Sequence, residues 1–340
     1  GAVAKRNGHK ILLIDGGLRS MPDIVKQAKD FSPDVIGLTC WTIERETVWA
    51  LCRALKKELE GAFLVVGGPH ATFYPAHIFK KTHASVVVVG EGEETFSELL
   101  SALGNNKDLR SVKGLALRED AMDSGSRRQR KPIENLDLVE KPYYGGFDNF
   151  NFGNYCGFPL LPRPTAPVIS SRGCVFDCSY CGSVKFWGNQ WRHRGVDNII
   201  EEIVWLTGEC KAKSIFFFDD NFLVDKERVM IICERMIRKN FAIKWSCCSH
   251  VKMVNRELLA IMKRSGCVSI DFGVESGSDK ILKAINKKQT RLEIEKAFTL
   301  VHESGIKPRA YLMVGNKGED EGTVEETIQM IGNIKPWSSI

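Results

Sequence analysis

Cys174-Val175-Phe176-Asp177-Cys178-Ser179-Tyr180-Cys181 sets three thiols at C-x3-C-x2-C spacing, on a segment that follows the apolar run Ala166-Pro167-Val168-Ile169-Ser170. Three thiolates that close together can hold three corners of a four-iron, four-sulfur cluster, and the fourth iron, lacking a cysteine, is open to substrate. A loop at the carboxyl end of a strand is where parallel α/β folds place their chemistry. Other readings exist. Structural zinc wants four tight ligands, and no second C-x2-C or H-x3-H lies nearby. Disulfides suit secreted chains, but the eleven cysteines are an odd number and no secretory signal is visible. Inert buried thiols fit the scattered Cys40, Cys52, Cys156, Cys210, Cys233, Cys247, Cys248 and Cys267 better than the spaced trio.

With Tyr180 ahead of the third cysteine, the motif resembles the signature of radical S-adenosylmethionine (SAM) enzymes. The resemblance implies a [4Fe–4S] cluster on Cys174, Cys178 and Cys181, with the open iron chelating the amino and carboxylate groups of SAM. One electron then cleaves the sulfonium to a 5′-deoxyadenosyl radical. It also implies an external electron donor of flavodoxin or ferredoxin type, an oxygen-sensitive protein of the reduced cytoplasm, and a small-molecule or natural-product substrate.

The 340 residues are enough for two domains. Hydrophobic content of 43% and charged content of 26% are those of a soluble globular protein. No apolar run approaches the roughly 20 residues of a membrane span. The net charge of +6 owes much to Arg127-Arg128-Gln129-Arg130-Lys131, which reads as a solvated loop beside Ser124-Gly125-Ser126. Nothing resembles a nucleic-acid module.

In the first half, apolar runs at 10–15, 34–39, 63–66 and 85–89, with a final edge at 112–117, alternate with helical patterns at 22–30, 44–59, 75–81 and 93–103. This predicts a Rossmann- or flavodoxin-like parallel sheet covered on both faces. Its strand ends read Thr39-Cys40-Trp41-Thr42, Gly67-Gly68-Pro69-His70 and Gly90-Glu91-Gly92-Glu93. Glycines there admit close backbone approach to a large ligand, and the absence of G-x-G-x-x-G after a strand disfavours a dinucleotide site. With Asn7-Gly8-His9, these segments resemble the cobalamin-binding domain that precedes many radical SAM barrels. The resemblance implies cobalamin along the strand ends, with the domain's first strand missing. The loop that carries a cobalt-ligating histidine in related D-x-H-x-x-G modules would come before residue 1. His70 reads as shaping its loop rather than ligating metal.

Residues 118–165, with Pro132, Pro142, Pro159, Pro162 and Pro164, read as a linker. Its aromatic residues Tyr143, Tyr144, Phe147, Phe150, Phe152, Tyr155 and Phe158 argue for packing rather than disorder. From residue 166 the β/α alternation predicts a partial (β/α) radical SAM barrel, C-terminally incomplete. Its strands fall at 168–171, 214–218, 243–246, 268–272 and 309–314. Its helices fall at 196–210, 226–239, 256–265, 279–285, 291–304 and 323–334. Ile199, Ile200, Ile203, Val204 and Leu206 read as one buried stripe. By position, Asp219, Asp220 and Asn221 resemble the stretch that accepts the methionine amino group of SAM. Glu275 and Ser276 belong to a Gly-x-Glu-Ser-Gly segment implied to contact SAM, and Gly315 admits adenosine. Lys317 replaces a frequent proline, and His250 stands near a frequent arginine. Asp225 and Asp279 read as helix caps. The aromatics of 185–194 are candidates to cover the cluster.

The domains expected are therefore 1–117 (cobalamin-binding), 118–165 (linker) and 166–340 (radical SAM). The activity implied is hydrogen abstraction from an unactivated carbon followed by methyl transfer from cobalamin. Oxidative cyclisation of the anaerobic magnesium-protoporphyrin type is an alternative, and a non-catalytic cobalamin or iron–sulfur sensor is another.

Overall fold

The computed structural model describes residues 1–119, 130–145, 147, 152–154 and 158–340. It divides the chain into two compact units, residues 1–134 with 138–150 and residues 135–137 with 151–340. Of the connector, Phe150, Tyr155 and Cys156 lie outside the described residues, as do Arg127, Arg128 and Gln129.

The first unit runs α1 (Ala2–Arg6), α2 (Met21–Phe31), β1 (Val35–Thr39), α3 (Arg45–Glu58), β2 (Phe63–Gly67), α4 (Pro69–Phe73), α5 (Pro75–Lys81), β3 (Val86–Val88), α6 (Gly92–Gly104) and β4 (Leu115–Ala116). The sheet order is β1-β2-β3-β4. The first three strands are parallel and β4 runs antiparallel at the edge, so the sheet is mixed. Strand β2 is covered on both faces, which is why it is an unbroken apolar run. Val66 packs with Cys40, Ala71 and Ile78, and Val65 packs with Leu99 and Ala102. Helix α2 starts where Ser20 accepts the Asp23 N–H and Pro22 occupies the first turn.

Three expectations are corrected here. Residues 10–15 do not form a strand, and Leu13 makes one isolated parallel bridge to Phe147. Ile14 still packs on Ile24, Ala28, Leu51 and Leu55. Apolar patterning buries a side chain, whereas a ladder also needs a partner strand in register. Helix α4, directly after Gly67-Gly68, was not foreseen. Arg130 is not a solvated charge either: its guanidinium is only 12% exposed and pairs with Glu94 and Glu98 of α6.

The second unit runs β5 (Thr165–Val168), β6 (Ser171–Arg172), α7 (Gly182–Trp187), β7 (Arg192–His193), α8 (Val196–Gly208), β8 (Ser214–Phe217), α9 (Lys226–Arg238), β9 (Lys244–Ser249), α10 (Arg256–Arg264), β10 (Cys267–Glu275), α11 (Asp279–Ala284), α12 (Arg291–Glu303), β11 (Lys307–Leu312), α13 (Glu321–Ile334) and β12 (Ser338–Ser339). Strands β6 and β7 form a small antiparallel pair that the sequence did not announce. The other six make one parallel sheet in the order β12-β11-β10-β9-β8-β5, so spatial order follows chain order. Successive right-handed crossovers then put the helices on one face, the winding of a barrel rather than of a doubly wound sheet. Asp225 caps α9 as expected. Asp279 instead accepts the Arg291 N–H, tying α11 to the start of α12.

The two faces of this sheet differ in chemistry. Trp245, Cys247, Ile270, Phe272 and Ala310 point to the helix side and are fully buried. On the opposite face, register aligns Ser246 with Ser269, and Cys248 with Asp271 and Arg309. Asp271 accepts the Tyr311 hydroxyl at 3.2 Å and faces Arg309 Nη1 at 3.5 Å. A parallel strand covered by apolar layers on both sides would be hydrophobic at every position. The polar row distinguishes the inner face of the sheet from its apolar helix side.

Helix α8 departs from the expected stripe in one place. Ile199, Ile200, Ile203 and Leu206 are buried, but Val204 is 44% exposed and Glu202 is 1% exposed. The helix turns Glu202 inward because Arg194 pairs with it there. Removing one partner of a buried ion pair leaves the other charge uncompensated. Glu202→Ala is therefore expected to lower the urea-unfolding stability of this unit by about 3–5 kcal/mol, whereas Val204→Ser stays within about 0.5 kcal/mol of the parent.

Candidate active site

The three motif cysteines sit on the connection from β6 to α7, and Cys181 immediately precedes α7. Cys178 is buried, and Cys174 and Cys181 are half-buried. Burial pushes the thiols of Cys174 and Cys178 up, and the neighbouring thiols of the trio push them the same way, so the three share one electrostatic neighbourhood. Lys287 is the largest opposing influence at Cys178. Among the described residues, no three His, Cys, Asp or Glu side chains converge on a point that could hold a metal ion. A lone zinc would sit roughly 2.3 Å from each sulfur, while a four-iron cluster gives each thiolate its own iron and needs no such convergence.

The loop is held from several sides. Gly173 N–H donates to Asp220 Oδ2 at 3.1 Å. Ser179 N–H donates to the Ile285 carbonyl at 2.9 Å, and Asn286 Nδ2 donates to the Asp177 carbonyl at 3.0 Å. Phe176 stacks on His250 with ring centroids 3.9 Å apart, and His250 Nε2 lies 3.0 Å from the Lys287 carbonyl. Asn221 bridges Cys174, 4.0 Å from its sulfur, and Ser249, whose hydroxyl donates to Oδ1 at 3.1 Å. Of the aromatics after the loop, Trp187 carries Arg172 and Arg192 against its ring.

Asp219 does something other than what its position implied. It is 2% exposed, and its carboxylate accepts the Ser170 N–H at 2.7 Å, the Ser170 hydroxyl at 2.6 Å and the Ser171 hydroxyl. Arg228 Nη2 closes the network on the Ser170 carbonyl at 2.8 Å. Asp219 therefore fastens the exit of β5, from which the cysteine loop departs. Ser276 is likewise turned inward. Its hydroxyl lies 3.2 Å from Thr327 Oγ1 and accepts the Ser278 N–H at 3.1 Å. Gly315 lies on an open turn whose amides, with that of Asn316, donate to Glu319.

Glu275 and Tyr180 meet, 95 residues apart in sequence, and a third residue joins them. Tyr180 donates its hydroxyl to Glu275 Oε1 at 2.7 Å. Lys287 Nζ donates to the same oxygen at 2.9 Å and to the Tyr180 oxygen at 2.9 Å. Burial, then the Glu275 carboxylate, push the phenol well up, so it stays a donor. Both side chains of the Glu275–Lys287 pair are only 8% exposed. Gly273 leaves room for them: a Cβ there would lie 2.5 Å from Glu275 Oε1 and from Lys287 Nζ. Sequence reasoning did not single out Lys287. Its neighbour Lys288 is another lysine, and nothing local marks which of the two is buried.

In the first unit, the strand-end segments also meet. Cys40 N–H donates to the Gly67 carbonyl at 2.8 Å, and His70 N–H donates to the Cys40 carbonyl at 3.0 Å. Gly68 has φ +93°, and a Cβ there would stand 2.9 Å from Cys40 N, so only glycine fits this crossing. Gly90 N–H donates to Thr72 Oγ1 at 3.0 Å, Glu91 accepts the Ile133 N–H at 2.7 Å, and Glu93 lies in the first turn of α6. Thr39, Trp41 and Thr42 are exposed, with Trp41 at 54%. His70 is buried, with Nδ1 3.1 Å from Thr42 Oγ1 and Nε2 3.3 Å from His77 Nδ1. Both of its ring nitrogens are thus engaged within the fold.

Comparison with known proteins gives each unit a family match. The B12 binding domain family matches residues 1–100 and the radical SAM superfamily matches residues 168–331. An uncharacterized methyltransferase of Pyrococcus horikoshii is 33% identical over 95% of this chain and 70% of its own length. The chain belongs to the cobalamin-binding radical SAM family. It is also 30% identical, over 93% of the chain, to the anaerobic magnesium-protoporphyrin IX monomethyl ester cyclase of Cereibacter sphaeroides, of whose length it spans 52%. The structure of the radical SAM methyltransferase TsrM from Kitasatospora setae shares the fold, with TM-score 0.80 at 16% identity over 99% of this chain and 68% of that one.

The residues present fit the family's cofactors. Three thiols on a clamped loop, with no fourth cysteine in the motif, suit a cluster with one open iron. A glycine crossing and an exposed tryptophan at the ends of β1 and β2 suit a large ligand lying along a sheet edge. Among the described residues no helix is long and apolar enough to cross a membrane.

His250, which supports Phe176, gives the site a pH signature. Burial, aided by the Lys287 and Lys252 ammonium groups, pushes its imidazole down to about 4, against the pull of its bond to the Lys287 carbonyl. An unfolded histidine takes its proton near pH 6.5. Between those values the unfolded chain holds more protons, so stability falls as pH drops through that window, by up to about 3 kcal/mol. His250→Phe keeps the ring on Phe176 and removes this dependence. Urea midpoints taken at about pH 7 and about pH 4.5 should therefore fall further for the parent than for the variant.

Proposed function

We propose that this cobalamin-dependent radical SAM enzyme transfers a methyl group to an unactivated carbon of a small-molecule or natural-product substrate. In this reading residues 1–117 hold cobalamin and residues 166–340 hold the cluster and SAM, joined by 118–165. When bound, the cluster supplies the electron that cleaves SAM, and cobalamin supplies the methyl group. The electron itself comes from an external flavodoxin- or ferredoxin-type donor. The chain spans 70% of the Pyrococcus relative and about half of the cyclase, so the activity of the full protein is part of the proposal.

The observation that carries the reading is the clamped trio Cys174, Cys178 and Cys181 with Tyr180 fixed at its edge by Glu275 and Lys287. Each residue then has a defined task. The three thiolates hold three irons and leave one open. Asn221 and Asp220 keep the Cys174 end of the loop in place. Glu275 holds the Tyr180 hydroxyl through Oε1, and in this reading its carboxylate also serves as an acceptor for the ribose or the amino group of SAM. Gly315 leaves space for adenosine. In the first unit Trp41, Thr42 and the Gly68 and Gly90 turns line the cobalamin edge. Asp219 and Ser276 are left out of the ligand set, because their polar atoms are already bonded within the fold.

Methyl transfer is favoured over cyclisation by the Pyrococcus relative, whose match is fuller than that of the cyclase. With SAM labelled in its methyl group, anaerobically reconstituted protein with cobalamin should form 5′-deoxyadenosine and a substrate product that carries the label. An unlabelled, ring-closed product would point to cyclisation, and no 5′-deoxyadenosine at all would point to a sensor. Cys178→Ala should abolish the cluster's absorbance and all cleavage. Cys267→Ala should leave both intact, because that thiol is 1% exposed and sits on β10, apart from the loop.

A further inference from the structure

We propose that His77 and His70 form a proton relay that sets the hydrogen-bonding direction of the Thr42 hydroxyl at the cobalamin edge. The inference rests on the reading that Thr42 lines that edge. It adds His77, a positioning residue that the glycine segments of the sequence do not mark.

Three side chains from three segments stand in line. His77 is on α5, His70 is on α4, and Thr42 opens the short turn ahead of α3. His77 Nδ1 lies 3.3 Å from His70 Nε2, and His70 Nδ1 lies 3.1 Å from Thr42 Oγ1. His70 is 3% exposed, His77 is half-buried and Thr42 is exposed, so a buried imidazole connects two groups nearer the surface. The line is braced on its flanks. Trp49 packs edge-on against His77 with ring centroids 4.8 Å apart, and the Tyr74 ring lies 5.3 Å from that of His70. Arg45 donates to the Thr42 carbonyl at 2.7 Å, which holds the backbone of Thr42 whichever way its hydroxyl turns.

Proton counting decides what Thr42 can do. The two facing nitrogens share one hydrogen, which either ring can own. The neutral pair has one further hydrogen, on His70 Nδ1 or on His77 Nε2. In the second case His70 Nδ1 is a bare acceptor, so the Thr42 hydroxyl donates to it and keeps only lone pairs for a ligand. One added proton removes the choice. Both outer nitrogens then carry hydrogen, His70 Nδ1–H donates to Thr42 Oγ1, and the Thr42 hydrogen is free for a ligand. A second proton would set two N–H groups against each other, so the pair takes up one proton where two separate histidines would take two. The ionisable groups around the pair are Glu44 and Arg45 at the start of α3, Lys81 of α5 against the Trp49 ring, Tyr74, and Cys40, whose thiol burial pushes up. Burial, then His77 and Arg45, hold the His70 imidazole below its ordinary value, which leaves the added charge on the outer ring of His77. A cobalamin on this edge presents carboxamide and phosphate oxygens, and the hydroxyl can meet them as a donor only when its hydrogen is free.

The test is nitrogen NMR of the whole chain with isotopically labelled histidine, which distinguishes bare from protonated ring nitrogens, together with equilibrium binding of cyanocobalamin. The chain has seven histidines, and His77→Phe assigns the pair. Between about pH 8 and about pH 5.5 the two rings together should gain one proton, with His70 Nδ1 protonated at the lower value. Over the same range cyanocobalamin should bind about two- to tenfold more tightly, the gain that one further hydrogen bond supplies. Thr42→Val should keep the joint titration and lose this pH dependence of binding. It alters only the exposed end of the line, so it also assigns His70 through its Nδ1 signal should His77→Phe fail to fold. Independent titration of the two rings, a bare His70 Nδ1 at the lower pH, or parent-like pH dependence of binding in Thr42→Val would overturn the relay. Joint titration in a chain that binds no cyanocobalamin would overturn the reading of Thr42 as a cobalamin edge and the role of the relay there, a failure separate from that of the proton coupling.

Discussion

To hold a cluster, three sulfur atoms on eight consecutive residues would have to become anions side by side. Burial opposes this at Cys174 and Cys178, and each thiolate makes the next harder to form. Iron offsets the repulsion once bound, but the protein has to present the loop in a usable shape beforehand. The surrounding architecture answers to that need. Asp219 and Arg228 fix the strand exit at Ser170, Asp220 holds the first turn of the loop, and the segment after α11 supports its second half. These supports come from the ends of β5, β8 and β9, from helix α9, and from the connection after α11. The parallel sheet brings those ends to one side, and no local stretch of chain could do so.

Much of this was legible in the sequence, and the part that was not has a common character. The cysteine spacing is local, so eight residues were enough to read it. The β/α alternation was also readable, because central parallel strands are short apolar runs and their helices carry stripes and caps. Side-chain partnership across long separations was not readable. Asp219 looked like a ligand because a carboxylate at a strand end invites one; only the fold shows that Ser170 and Ser171, 49 and 48 residues earlier, already occupy it. Val204, read as part of the buried stripe, is exposed, while Glu202 turns inward to pair with Arg194. Residues 10–15 had the composition of a strand but found no ladder to join. Arg130 read as a loop charge until α6 supplied two carboxylates.

The first unit shows how glycines can be correctly noticed and incompletely understood. Gly67-Gly68 and Gly90 were read as space for a ligand. Gly68 serves first to let the turn after β2 cross the backbone of Cys40, and the hydrogen bonds on either side of that crossing tie the ends of β1 and β2 together. The shape of this turn is thus set by a tight internal packing constraint. His70 follows the same logic: its buried ring connects Thr42 to His77 and keeps the turn closed.

Glu275 shows how backbone strain and a buried hydrogen-bond cluster coincide in the second unit. It has φ +67°, a left-handed conformation that costs a side-chain-bearing residue about 1–3 kcal/mol. The register of β10 against β11 slips between Gly273 and Glu275 at this point. A bulge there turns a strand residue away from the strict alternation of faces. The conformation persists because its surroundings enforce it. Gln289 donates to the carbonyls of Gly273 and Val274, and Met313 donates to the carbonyl of Glu275. The irregularity lets the Glu275 carboxylate reach Tyr180 and Lys287. A regular strand would keep the backbone relaxed but lose the link between the aromatic residue of the cysteine motif and the floor of the sheet.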